Sequence, residues 1–224
     1  MREGNPLSKL REPGATSPAG ADRRPIRSRE ARWAQAAASY LAGLGVSPNQ
    51  ISLTSMLAAA VGALCLILFS QPWNAIGCIC GAQMRLLCNL LDGMVAVEHG
   101  KQTQLGILYN ELPDRVSDSM LLIALGYASG IPWLGWLGAL LAALSAYIRV
   151  FGAALGFAQD YRGPMAKQHR MAVLTAGCLI SIVEHFAGRT SYSLPITCGL
   201  IATGSLLTWW TRTRALVSRL QGRS

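Results

Sequence analysis

Charge is what this chain has least of. Asp, Glu, Lys and Arg make up 14% of its residues, against about 25% in an ordinary soluble domain, which argues against a soluble globular fold. Acids are scarcer still, eleven against twenty Lys and Arg, for a net charge of +9. That surplus suits nucleic acid or anionic lipid. The basic residues stay out of the apolar blocks and form no single dense patch, so nucleic-acid binding is set aside. Zinc-ligand spacing is missing too. Cys65, Cys78, Cys80, Cys88, Cys178 and Cys198 all lie in apolar runs, and Cys78-x-Cys80 is too short for a knuckle, so they read as small buried side chains. There is no early apolar core followed by a small-residue cleavage site, and no signal peptide is expected.

What is abundant is apolar: 51% of the residues are hydrophobic, in blocks of membrane-spanning length, about 20 residues each. The expected architecture is an all-α polytopic membrane protein, six transmembrane helices preceded by an interfacial amphipathic helix. Residues 1–24 mix Pro, Gly, Ser and charge without periodicity and read as a disordered tail. Residues 25–47 carry Arg27, Arg29 and Arg32 beside Trp33, Tyr40 and Leu44. That mixture suits a helix in the headgroup plane of an anionic lipid membrane; a solvated basic linker is the plainer reading. Ser47 is placed as an N-cap with Pro48 at the first helical position. The six-helix domain is expected over 48–211, with spans near 50–70, 74–92, 105–129, 133–157, 171–187 and 194–211, and then a basic tail over 212–224.

The positions of Lys and Arg orient these spans. Sixteen fall on the side of the N-terminal segment, the second-to-third loop, the fourth-to-fifth loop and the C-terminal tail, against only Arg189 on the other. By the positive-inside rule both termini are cytoplasmic. The bacterial inner membrane is the expected location.

Five of the eleven acids fall between Asp92 and Asp118. An acid within a span costs roughly 2.5–3.5 kcal/mol on insertion scales unless it is paired or hydrated. Arg85, Asn89 and Asp92 share one helical face at i, i+4 and i+7, and Asn110, Asp114 and Asp118 step by four along another. Two oxygen-rich faces joined by a cytoplasmic loop suit a hard divalent ion, Mg²⁺ or Mn²⁺. Basic groups beside it, Arg149, Lys167 and Arg170, suit a phosphate. Lys167 and Arg170 serve equally well as topology-setting charges, and Arg149 as a snorkelling residue. Gly93, Ala96 and Gly106 are small enough to let a nucleotide or another helix approach.

The order Asn89-x-x-Asp92-Gly93-x-x-Ala96-Val97, eight residues, then Gly106-x-x-x-Asn110-x-x-x-Asp114 resembles the CDP-alcohol phosphatidyltransferase family. Its motif is D-x-x-D-G-x-x-A-R, about eight residues, then G-x-x-x-D-x-x-x-D. The Val46-Ser47-Pro48-Asn49-Gln50-Ile51 turn and the six-span layout are similar to the family as well. The resemblance implies a membrane enzyme of phospholipid synthesis that needs Mg²⁺ or Mn²⁺. It would move a substituted phosphate group from a CDP-diacylglycerol-like donor to an alcohol acceptor and release CMP. Members often pair as homodimers, and a dimer is carried as an expectation.

Carried over, Asn89, Asp92 and Asn110 fall at metal positions, Asp114 at the general base, and Gly93, Ala96 and Gly106 beside the nucleotide. The sequence departs from the motif at Asn89, Asn110 and Val97. Asp118, one turn beyond Asp114, therefore opens a second register, in which Asp92 and Asp114 hold metal and Asp118 is the base. Arg149, Lys167 and Arg170 would bind donor or acceptor phosphates. A catalytically inactive scaffold and a small cation or solute transporter are the rival functions; against the transporter, the acids sit at one membrane face and no inverted repeat is visible.

Overall fold

A computed structural model describes residues 31–98, 106–188 and 192–222, with the side chains of all but Glu98, Ile107 and Asn110. The expected tail, Arg27, Arg29, the loop bearing His99 and Lys101, and Arg189 lie outside the described residues. Among the described residues all regular structure is helical: α1 (Arg32–Gly43), α2 (Pro48–Leu68), α3 (Trp73–Glu98), α4 (Gly106–Ala128), α5 (Pro132–Ala154), α6 (Lys167–Phe186) and α7 (Ser193–Gln221).

Local chemistry explains the helix starts. Ser47 caps α2 by accepting from the Gln50 amide at 3.3 Å, and the Gln50 side chain accepts from the Ser47 amide at 2.9 Å. This reciprocal pair satisfies two otherwise orphaned donors, and Pro48 follows at the first turn, where it forfeits no bond. The α7 start is capped from another helix: Glu184 on α6 accepts from the Ser193 amide at 3.2 Å and from its hydroxyl at 2.7 Å.

The bundle buries an apolar core that includes Leu66, Leu121, Leu125, Met171 and Leu174, with small and polar residues around it, and it also carries many large apolar side chains on its outside. On α2, Ser52 and Ser55 are buried while Leu53, Leu57, Val61 and Leu64 point outward. Such a surface would aggregate in water and is at home in hydrocarbon. By length and apolarity α2 and α5 qualify to cross a membrane. The other four long helices do not meet that measure, and each buries charge in the bundle: Arg85 and Asp92 on α3, Asp114 and Asp118 on α4, Arg170 on α6 and Arg212 on α7.

Three boundaries differ from the sequence expectation. Helix α3 runs on to Glu98, α6 already begins at Lys167, and α7 continues to Gln221. Apolar runs mark where a helix can sit in lipid, not where its backbone stops. Arg212, expected in the tail, is instead buried in α7, donating to the carbonyls of Arg162 at 2.8 Å and Ser145 at 2.9 Å.

Helix α2 packs against α3 and α4, α5 against α4 and α7, and α6 against α3 and α7. The α2–α3 crossing is backbone-close: a Cβ on Gly81 would stand 2.6 Å from both the Ala58 carbonyl oxygen and the Gly62 Cα. Overpacking of this kind costs about 1–3 kcal/mol. Gly81→Ala is therefore expected to lower the unfolding temperature of the detergent-purified protein. Gly138→Ala, whose Cβ meets nothing within 4 Å, should not. Equal melting of the two variants would contradict the tight crossing.

Candidate active site

The register of α3 puts Arg85, Asn89 and Asp92 on one face, from which Arg85 and Asn89 reach Asp114 and Asp118 on α4 while Asp92 meets Ser52 on α2. Asn89 Nδ2 donates to Asp114 Oδ1 at 3.0 Å. Arg85, fully buried, lies between the two acids. Its Nη2 is 2.6 Å from Asp118 Oδ1 and 3.5 Å from Asp114 Oδ1, and donates to the Asp114 carbonyl at 3.2 Å. Its Nη1 donates to Met171 Sδ at 3.0 Å.

Helix α6 supplies the remaining cations. Arg170 Nη2 donates to Asp118 Oδ2 at 2.6 Å while its Nη1 donates to the Met165 carbonyl at 2.9 Å. Lys167 Nζ pairs with Asp114 Oδ2. Asp118 is thus locked between two guanidiniums and 2% exposed, whereas the Lys167 side chain retains 24% exposure. On the other side of Asn89, Ser52 Oγ donates to Asp92 Oδ2 at 2.6 Å. Asp92 is 3% exposed, and among the described residues its Oδ1 has no hydrogen-bond partner. A buried carboxylate oxygen without a donor is an opening for a cation.

Five residues are candidate metal ligands by their spacing in the sequence, Asn89, Asp92, Asn110, Asp114 and Asp118. Among the described residues, no group of three His, Cys, Asp or Glu side chains is arranged to hold an ion. Asp114 and Asp118 meet cationic side chains, and the Asn110 side chain is outside the described set. What remains is Asp92 with its open oxygen. Such a site still fits a hard ion like Mg²⁺, which is commonly held by one or two carboxylates and completed by substrate phosphates and water.

A second cluster adjoins the first through α4. Glu111, one turn before Asp114, pairs with Arg149 at 2.6 Å and with Arg115 at 3.0 Å. Arg149 also donates to Gln159 and lies 5.6 Å from the centre of the Tyr161 ring. It lines a small cleft with Asp160, Arg212 and Arg219. In the α5–α6 loop, the Arg162 guanidinium, bonded to Asp160 at 2.6–3.1 Å, holds that carboxyl below its ordinary range, with burial acting against it. Arg149 is paired with Glu111, and Arg219 stands 3.6 Å from the Asp160 carboxylate that Arg162 also holds, so with Arg212 and Arg162 the cleft region sets four arginines against two carboxylates. Its charge favours an anion.

Of the expected phosphate binders, Arg149 faces this cleft, whereas Lys167 and Arg170 turn to the acids. Arg212 and Arg219 were not anticipated there. Their sequence signal was the i, i+4, i+7 set Arg212, Leu216 and Arg219, one face of a continuing helix.

The model of the family described as CDP-alcohol phosphatidyltransferase matches residues 45–217. The chain belongs to this family. It is accordingly a membrane transferase of the class that moves a substituted phosphate group from a CDP-linked donor to an alcohol, and neither a transporter nor an inert scaffold is favoured. The transferase is 31% identical over 189 residues to archaetidylinositol phosphate synthase of Aeropyrum pernix, covering 84% of this chain and 90% of that one. It is 25% identical over 179 residues to phosphatidylinositol phosphate synthase of Mycolicibacterium smegmatis, covering 77% and 78%. The fold is shared with Mycobacterium tuberculosis phosphatidylinositol phosphate synthase. The structure of that enzyme with CDP-DAG bound superposes with a TM-score of 0.70 at 22% identity, over 83% of this chain and 94% of the other. Its complex with manganese and citrate gives a TM-score of 0.70 at 21% identity, over 82% and 88%.

Proposed function

We propose that this transferase uses a CDP-diacylglycerol-like donor and a phosphorylated polyol, of the inositol phosphate kind, as acceptor. The observation that carries the acceptor class is the arginine cleft, joined to the Asp114 face through Glu111 and Arg149. The names of the relatives point the same way.

A phosphate held by Arg149, Arg212 and Arg219 would set an acceptor hydroxyl near α4, where Asp114 takes its proton as it attacks the donor's β-phosphorus. Asp118, enclosed by Arg85 and Arg170, then positions those guanidiniums and α4, and does not serve as the base. Lys167 pairs with Asp114 from its open side. Asp92 with Asn89 and, by the motif spacing, Asn110 would hold the Mg²⁺ or Mn²⁺ ion, which would neutralise the diphosphate and favour CMP as leaving group. Gly93, Ala96 and Gly106 leave room for the nucleotide.

All six long helices span the bilayer in this reading. The charge asymmetry puts both termini and the site on the cytoplasmic side. Helix α1, with Ala34 and Ala38 buried and Trp33, Tyr40 and Leu44 exposed, lies along the headgroups of anionic lipid.

The test is CMP release by purified protein with CDP-diacylglycerol and Mn²⁺, comparing inositol phosphate and glycerol 3-phosphate with inositol and serine. Phosphorylated acceptors should be preferred. Arg219→Gln at the cleft mouth should raise their KM about tenfold or more, the worth of one charge-assisted bond, at unchanged kcat. Equal use of free inositol would sink the acceptor assignment.

A further inference from the structure

We infer that this transferase binds one divalent cation per chain, not a pair, because the Lys167 ammonium occupies the place of a second. The inference rests on the reading above that the Asp92–Asp114 region is a cation-assisted transfer site.

Three buried carboxylates, Asp92, Asp114 and Asp118, face three cationic side chains, Arg85, Lys167 and Arg170. Their formal charges cancel without a metal. Both Asp118 oxygens lie 2.6 Å from a guanidinium nitrogen. Asp114 Oδ1 takes the Asn89 amide at 3.0 Å, and its Oδ2 takes Lys167. Among the described residues two buried carboxylate oxygens of this group have no hydrogen-bond partner, Asp118 Oδ1 and Asp92 Oδ1; Asp118 Oδ1 lies 2.6 Å from the Arg85 guanidinium, whereas Asp92 Oδ1 has no such ion pair. That vacancy in its hydrogen bonding is the independent sign of a ligand.

A pair of metal ions about 3.5–4 Å apart needs carboxylates that flank both. Here Asn stands at positions 89 and 110, so two negative charges that would compensate a second dication are absent. The carboxylate of Asp114, the next acid across from Asn89, already accepts from Asn89 and Lys167, with Arg85 Nη2 3.5 Å away. A lysine ammonium is a compact point charge, and Lys167 comes from α6, a helix that carries none of these acids. It supplies one positive charge where a metal would bring two, which matches the loss of carboxylates.

The experiment titrates Mn²⁺ into the purified full-length chain in detergent micelles with CDP-diacylglycerol present. Electron paramagnetic resonance counts bound ions and reports whether they couple, and CMP release is followed in parallel. One Mn²⁺ per chain with an isolated-ion spectrum is expected, and Asp92→Asn should weaken it tenfold or more. Asn89→Asp combined with Lys167→Met should raise the count to two, with an exchange-broadened spectrum, while Lys167→Arg stays at one. If the double variant does not fold, Lys167→Met alone should admit a second, weaker ion. Two coupled ions in the unmodified chain, no bound ion, or a neutralised Lys167 site that still takes one ion would each overturn the inference. Absence of CMP release with every acceptor would end the functional reading, while the ion count is read independently of turnover.

Discussion

Asp114→Asn is expected to lower CMP release by about 10²–10⁴-fold, the usual contribution of a positioned general base, in a protein that remains folded. The substitution keeps the shape of the side chain and leaves the Asp114 carbonyl free to accept from Arg85, as it does at 3.2 Å. Lys167 loses its partner, but its side chain is 24% exposed, so its charge is less confined than those of Arg85 and Arg170. Asp118→Asn should behave differently. Its carboxylate is 2% exposed between Arg85 and Arg170, so neutralising it leaves two buried guanidiniums short of a counter-charge and lowers stability along with activity. The pair of variants separates the two registers open in the sequence: an Asp114→Asn enzyme with undiminished turnover would assign the base elsewhere. Unfolding temperature and CMP release measured on the same preparations decide it.

Arg85→Ala is expected to carry the largest stability cost, about 3–5 kcal/mol, because removing one partner of a buried ion pair strands the other. Arg85 is 0% exposed and touches Asp118, Asp114 and Met171 from the centre of the α3–α4–α6 junction. Its loss would leave three carboxylates facing two cations. Low yield, early melting in detergent and loss of a monodisperse elution peak should follow. Arg85→Lys should recover little, since one ammonium cannot reach Asp118, the Asp114 carbonyl and Met171 together. Asp118→Leu added to Arg85→Met removes both charges and should restore part of the stability, as apolar replacement of buried pairs does elsewhere. A single Arg85→Ala variant that melts with the unmodified protein would show that the junction holds without this pair.

Much of the site was legible because helical spacing is a local property. The steps Arg85, Asn89, Asp92 and Asn110, Asp114, Asp118 each define one face whatever the helices later touch. The Ser47 and Pro48 start was legible for the same reason, a cap being a matter of three neighbouring residues. Less legible was the destination of the cations. Lys167 and Arg170 sit in a basic stretch that reads equally well as a topology signal or a phosphate site. Nothing in their neighbours shows that one meets Asp114 and the other Asp118, 53 and 52 residues earlier.

The amino-acid order by itself determined the helical class, the two acidic faces and, through the motif, the family, since each depends on residues within a few turns of one another or at fixed spacing. Only the packing of α6 against α3 and of α7 against α5 decided which charge neutralises which. It gave Asp118 two guanidiniums, gave Asp114 an ammonium, and left Asp92 with an open oxygen. The physical reason is that burial in a low-dielectric bundle makes every charge choose a partner, and that partner comes from whichever helix the fold brings near.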